Sequence, residues 1–506
     1  MSGAFENKLL MGCQKVMREE NAPQSGASAP AAMPTALGDD VPVSNPQRDS
    51  GGSIQSETSI VAVGNIVCAA WNDTGEGFGT NGFSGHGVSL DGGQTFTDGG
   101  PFPNGPLDKN FGDPSLAFSV RDNAFYYAAL SSAGISLWRS TTDCQTFAYV
   151  GPIHHGPGDD KALLAVDNTP TSPFFGRLHI GWTDITRFPP AGVAANSDDG
   201  GVTWSAPLSM PVIERIEAEG MYPAVAPNGD VYMAVLRQAE ELGGLQDQLI
   251  YRSTDGGLSW TQKADIGNDQ LRPEDVEATG ACAGRQALNG FIRYLSSPQI
   301  AITASHSTPT GYVIHAVYSY DSDGTGPDHS NVFYRQSADG ANSWSDEVKL
   351  NDDETATDQF FPTIAAGDNG AIAASWYDRR LDPVNNIAFD RFLTVSTDGG
   401  RSWHPNVRLS DVTSPLAQTL PNPEGLANCY HGDYDQMALV GNVVHVIWSD
   451  DRRVTEPFGP NPDIYYHQLH IDSAQRCRNS HRASDRTAEG GSFAHEDFPV
   501  RHSPSR

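Results

Sequence analysis

The chain has 506 residues, with Gly 52, Pro 34 and a formal net charge of −30. Nothing in it approaches the run of roughly 18 apolar residues that a membrane span needs. So acidic a balance argues against nucleic acid and anionic membranes as partners, while abundant Gly and Pro suit short strands joined by turns.

Residues 1–38 lack periodicity and read as a disordered lead. Glu6 and Asn7 interrupt the short apolar stretch at 9–11, so no secretory signal is legible. Gly12-Cys13 is similar to a lipoprotein cleavage site but lacks the preceding apolar segment, and the export route stays open. Short apolar strands then recur from 39 to 478. Those ending in polar residues begin at 65 (NIVCAAWND), 123 (NAFYYAALSS), 177 (RLHIGWTDIT), 229 (GDVYMAVLRQ), 311 (GYVIHAVYSYDS), 370 (GAIAASWYDRR) and 442 (NVVHVIWSDDRR). Each follows another apolar strand and precedes a third, which predicts seven repeats. EVKLND at 347 and NVRLSD at 406 read as fourth strands. DVPVSN at 40–45 has their form but precedes the first repeat. It is expected to complete the last repeat beside the strand at 464 and so remove an open edge. Residues 479–506 read as a disordered tail.

A turn of the form S-x-D-x-G-x-T/S-W/F punctuates these strands. It is complete at 89–96 (SLDGGQTF), 197–204 (SDDGGVTW), 253–260 (STDGGLSW) and 396–403 (STDGGRSW), and eroded at 140–147 (STTDCQTF) and 337–344 (SADGANSW). The Asp should accept hydrogen bonds from turn amides, the Gly should take a conformation side chains disfavour, and the aromatic should pack beneath. The copies, 51, 57, 56, 84 and 59 residues apart, mark a repeat protein. The 84-residue interval holds a long loop at 270–297, and a second long loop spans 409–436. Long loops on a rigid scaffold usually carry function. Cys68 reads as a buried thiol, and Cys282 and Cys429, one in each long loop, can pair if they come within reach.

The turn resembles the Asp-box of the sialidase superfamily of β-propellers. The resemblance implies an all-β propeller, here of seven four-stranded blades, with the six-bladed sialidase ring as the alternative. It also places the pocket on the face opposite the Asp-box turns and favours a secreted or cell-surface protein. The F/Y-R-I-P motif of sialidases is absent. By this resemblance Asp73 is the candidate proton donor, Tyr434 the candidate nucleophile, and Glu219 or Glu217 the group that activates it. Asp378-Arg379-Arg380 and Asp450-Asp451-Arg452-Arg453 repeat a D-R-R unit, and Arg187 occupies the corresponding loop of blade three. Arg187, Arg379, Arg380, Arg452 and Arg453 are therefore candidates to bind a sugar carboxylate bidentately, against the alternative that each only pairs with a neighbouring Asp.

Asp113, Asp160, His431, Asp433 and Asp435 fall in the links between blades. They could ring the channel and hold Ca²⁺, although no cofactor is required by the resemblance. His154 and His155 suit a softer metal but point opposite ways in an extended strand. The leading expectation is a monomeric glycoside hydrolase acting on an acidic sugar within a carbohydrate or glycoconjugate. A lectin or protein-interaction propeller is the alternative. A third is a uronic-acid polysaccharide lyase, in which Arg neutralises the carboxylate and His154, His155, His329, His431 or a Tyr takes the proton.

Overall fold

The structure is a computed structural model. It describes residues 38–471 apart from 49–52, 76–81, 107, 188–189, 212–215, 240–244, 268–269, 272–287, 289–296, 323, 325–327, 416–430 and 456–458. Cys282 and Cys429 lie outside the described residues, as do most of the two long loops.

Seven antiparallel sheets follow one another along the chain. Blade one runs Gln55–Val63, Ile66–Asp73, Ser84–Ser89 and Thr97–Pro101, and blades two to six repeat that up-and-down order. Blade four has an extra short strand, Gln270–Leu271, beside its third strand. Blade seven takes three strands from the C-terminal part, Met437–Val440, Val443–Thr455 and Gly459–His470, and its outer strand, Val41–Pro42, from the N-terminal part. Val41 faces Tyr466 and Pro42 faces Tyr465, as the DVPVSN pattern predicts. A proline on this outer edge offers no N–H to a further strand. Among the described residues no helix is long and apolar enough to cross a membrane.

Apolar side chains from neighbouring sheets meet between the blades. Between blades seven and one, Ile60, Trp71, Ile447, Ile464 and Tyr466 form one such buried layer. The repeated turns close each layer from below. In the first, the Asp91 carboxylate accepts from the amides of Gln94 and Thr95, both at 3.0 Å, and from the Thr95 hydroxyl at 2.6 Å. Despite slight burial, Asp91 titrates at about 2, because these donors and Ser89 favour its charged form. Asp255 and Asp398 are held by matching bonds. The SADGANSW copy is intact in geometry: Asp339 makes the full set, and Ala341 takes the glycine's left-handed place at φ 66°.

The STTDCQTF copy alone has lost its carboxylate. Thr142 substitutes by accepting from the Thr146 amide at 3.1 Å. Cys144 takes the glycine's place at φ 65° and forms a disulfide with Cys68 of blade one. Cys68 is therefore buried as expected, but it is half of a cystine rather than a thiol. Nothing in the local sequence pairs it with a residue 76 positions away. The turn that binds most weakly is the one that is covalently fastened.

Candidate functional site

Five inner strands share an irregularity near their start. Register slips between Ser56 and Ser59, Gly112 and Ser115, Asp160 and Leu163, Glu219 and Tyr222, and Phe360 and Thr363. Within each slip one residue is left-handed: Glu57 at φ 54°, Asp113 at 50°, Lys161 at 50°, Gly220 at 64° and Phe361 at 47°. Such bulges re-aim a side chain, and left-handed non-glycine residues cluster where a fold is built around a site. Sequence spacing puts Ser297 and Tyr434 at the same place in blades five and seven. The seven positions carry different chemistry in almost every blade.

Around them lies a buried polar network drawn from several blades. The Asn72 amide nitrogen donates to Glu57 and, at 3.3 Å, to Asp113, while its oxygen accepts from the Asp113 amide at 2.6 Å. A Cβ on Gly112 would collide with that Asn72 oxygen, so glycine there makes room for the bridge. Burial pushes Asp113 up to about 7, and the Asp160 carboxylate beside it adds to the shift. Lys161 donates from Nζ to Asp433 at 2.8 Å. Asp435 accepts from the Thr58 hydroxyl at 2.7 Å and from Arg391 at 3.2 Å, and its backbone oxygen accepts from Gln299 at 2.8 Å. Arg391 is fully buried beside Tyr377, and its Nη2 has no hydrogen-bond partner. The Tyr434 hydroxyl is likewise buried and unpartnered. Burial holds that phenol neutral, reinforced by Asp113 and Glu57.

The structure thus gathers Tyr434, Asp113, Asp160, Asp433 and Asp435 at one end of the inner strands. The carboxylates do not form a ring of free ligands. Asp433 is held by Lys161, Asp435 by Arg391 and Thr58, and His431 by Asp451 at 2.9 Å. Among the described residues no three His, Cys, Asp or Glu side chains converge to hold a metal ion. Glu217 and Glu219 lie in the inner strand Ile216–Val225, and their side chains are outside the described set.

Asp73 belongs to a clip that recurs at strand ends. Trp71 Nε1 donates to Asp73 at 3.2 Å, Trp376 to Asp378 at 2.8 Å and Trp448 to Asp450 at 3.0 Å. In each case the other carboxylate oxygen accepts from the amide two residues on, of Gly75, Arg380 or Arg452. The repeating unit is therefore W-x-D, legible at 71, 182, 376 and 448. It also changes the alignment of the D-R-R units. Arg380 corresponds to Arg452, and Arg379 corresponds to Asp451.

Each candidate arginine is held by carboxylate. Arg379 donates to Asp358 at 3.1 Å and is fully buried; Arg380 donates to Asp378 and Asp352, both at 2.7 Å. Arg452 donates to Asp450 and Asp40, both at 2.7 Å, and also to Asp411. Arg453 donates to Asp463 at 3.0 Å, and Arg187 to Asp184 at 2.8 Å. His155 is exposed, whereas His154 is half-buried, lies against Trp182, and meets Asp159 at 2.7 Å through Nδ1. His329 lies 3.9 Å from Asp321. Glu57, Asn72, Lys161 and Arg391 were not legible as site residues, because only the bulge brings the first three together.

No family model matches the chain, and no curated protein matches it. Solved structures with a related outline include a protein of unknown function from Dyadobacter fermentans, at 14% identity and TM-score 0.45, covering 86% of this chain and 98% of that one. Others are an α-L-arabinofuranosidase from Fusarium graminearum with an iminosugar inhibitor (10% identity, TM-score 0.45, covering 88% and 100%) and the endosialidase of phage phi92 (12%, 0.42, covering 93% and 72%). At these scores the likeness adds nothing to the ring that the coordinates already display.

Proposed function

We propose that this chain is a carbohydrate-active propeller, a glycoside hydrolase working where the inner strands begin. One observation carries the reading: Asn72 ties two buried carboxyl groups, Glu57 and Asp113, to a single amide nitrogen, and Asp113 stays protonated up to about pH 7. Hydrolysis of a glycosidic bond needs one carboxylic acid and one carboxylate on opposite sides of it. Two oxygens bonded to one nitrogen lie within roughly 6 Å, because each hydrogen bond spans about 3 Å. That is shorter than the roughly 6.5–9.5 Å an inverting mechanism needs, which leaves a retaining one.

In this reading Asp113 protonates the leaving oxygen and Glu57 attacks the anomeric carbon. Water then cleaves the glycosyl-enzyme as Asp113 takes its proton. The Tyr434 hydroxyl is placed to donate to the sugar. The substrate that fits is neutral. Carboxylates outnumber cations in the network, and the arginines expected to hold an acidic sugar are each held by aspartate. The test is a panel of neutral aryl glycosides beside an aryl sialoside. Asp113→Asn should lower kcat by about 10²–10⁴ with the fold intact by circular dichroism. Cleavage of the sialoside alone would restore the acidic-sugar reading. No turnover of any glycoside would favour a lectin or interaction platform.

A second reading, proton abstraction from a uronic acid, draws support from His154. Asp159 orients its ring, as a general base requires, and the strand partner of Asp159, Asp184, holds the half-exposed Arg187. Unsaturated products absorbing near the ultraviolet would identify that chemistry.

A further inference from the structure

A cavity of about 340 Å³ opens where the turn end of blade one meets blade two, at the opposite end of the strands from the carboxyl network. It is lined by His86, Val88, Leu90, Thr95, Thr97 and Gln145. The volume lies within the range of small-molecule sites.

His86 is the informative wall. It is 5% exposed and packed edge-on against Phe102 and Phe147, both at 5.5 Å, yet neither ring nitrogen makes a well-formed hydrogen bond, although the Gln145 backbone lies close. A buried imidazole in that state costs free energy unless something satisfies it. Other buried histidines are satisfied: His315 contacts Thr303 and Tyr334, and His445 contacts Tyr466. His179 shares the lack of partners but is packed under Gly257 of the next turn. Gly99 also borders the cavity, and a Cβ there would overlap the His86 ring.

The walls are fixed in place. Val88 faces Cys68 across the sheet, Gln145 follows Cys144, and the disulfide joins these two cysteines. Burial keeps His86 below the usual histidine pKa, against the pull of Asp98 and the Gln145 backbone. It therefore offers one donor and one acceptor at neutral pH. The Thr97 hydroxyl adds a polar group, the Thr95 hydroxyl and the Gln145 side chain add acceptors, since they donate to Asp91 and Thr142, and Val88 and Leu90 supply an apolar surface. Asp91 is ionised, but its oxygens are already engaged by Gln94 and Thr95.

We propose that this cavity is a second carbohydrate site, binding one neutral sugar unit with its hydroxyls toward His86 and its C–H face toward Val88 and Leu90. The site does not depend on the hydrolytic reading above. The full chain, labelled at histidine ring carbons, would be titrated with D-glucose, D-galactose and L-arabinose and followed by NMR. At least one sugar should shift a single histidine signal saturably, and that signal should be missing in His86→Phe. Thr97→Val, an exposed change in an outer strand, should weaken the response at least threefold and serves if His86→Phe fails to fold. Asp113→Asn should leave it unchanged. No saturable shift with any of the three sugars overturns the proposal. So does a response that survives the two cavity variants but is lost in Asp113→Asn, which would place the sugar at the carboxyl network instead.

Discussion

The two ends of the blades follow opposite rules. At the turn end, Asp91, Asp255, Asp339 and Asp398 repeat one hydrogen-bond pattern, blade after blade. At the other end, the bulge repeats in the backbone while its side chain changes from Glu57 to Asp113, Lys161, Gly220 and Phe361. Repeated side chains hold the ring together; a repeated backbone position with changing side chains builds an asymmetric site. The arginines lie near the second kind, and each is bonded to aspartate, the alternative the D-R-R units also carry.

The difference can be tested first at Arg452, which joins Asp450 to Asp40 of the N-terminal segment. Arg452→Ala leaves buried Asp450 without its cation and Asp40 with His467 alone, and should cost about 3–5 kcal/mol, read from chemical denaturation. Arg452→Lys should also lower the melting temperature while leaving sugar binding unchanged. A loss of binding with unaltered stability would return this arginine to the site.

Cutting the covalent staple comes next. Cys68→Ser with Cys144→Ser should cost about 2–4 kcal/mol, and reductant should reproduce the effect in the wild type once the protein opens. The turns themselves come third. Asp398→Ala should cost about 1–3 kcal/mol with activity per folded molecule unchanged. An unchanged stability with lost activity would invert the assignment of the two ends.

The smallest effect concerns His431. Burial lowers its affinity for a proton, but Asp451 and, more weakly, Asp435 outweigh this, and its pKa is raised. Its stabilisation is therefore complete below about pH 6.5 and is lost as pH rises through the folded value. Asp451→Asn leaves burial as the main influence. The histidine should then titrate below the usual range by NMR, and the acid-side gain should vanish. Asp358–Arg379 occupies the equivalent positions in blade six with acid and base exchanged, so that blade should show no such dependence near neutrality.

How much of this could be read from the chain differs between the same two ends. The turns announce themselves because six short peptides carry one pattern. The closing strand is legible because DVPVSN shares its form with EVKLND and NVRLSD. Tyr434, Asp113, Asp433 and Asp435 were found because they sit in links between strands. Glu57 was not, because it lies just before the apolar run TSIVAV with no turn signal beside it; Lys161 sits in the link HHGPGDDK but, as a cation, gave no reason to be counted with the carboxylates, and φ near 50° leaves no mark on a non-glycine letter. Arg391 is the second residue of the strand DRFLTVS, where nothing in the pattern gives a reason for a buried guanidinium. The D-R-R units misled by one position, since the tryptophan two residues before the aspartate sets the register.

The latch at Val41–Pro42 has a consequence for how the molecule is made. Ser44 meets Ile464 across 420 residues of sequence, so the first part of the ring to leave the ribosome is among the last to find its place. Through most of synthesis blade one lacks its neighbour and the final sheet does not exist, so apolar layers stay uncovered while loop closure waits. A two-residue strand capped by proline is a suitable end-piece for such a schedule. It has little length with which to pair wrongly while it waits, and it locks only when blade seven arrives.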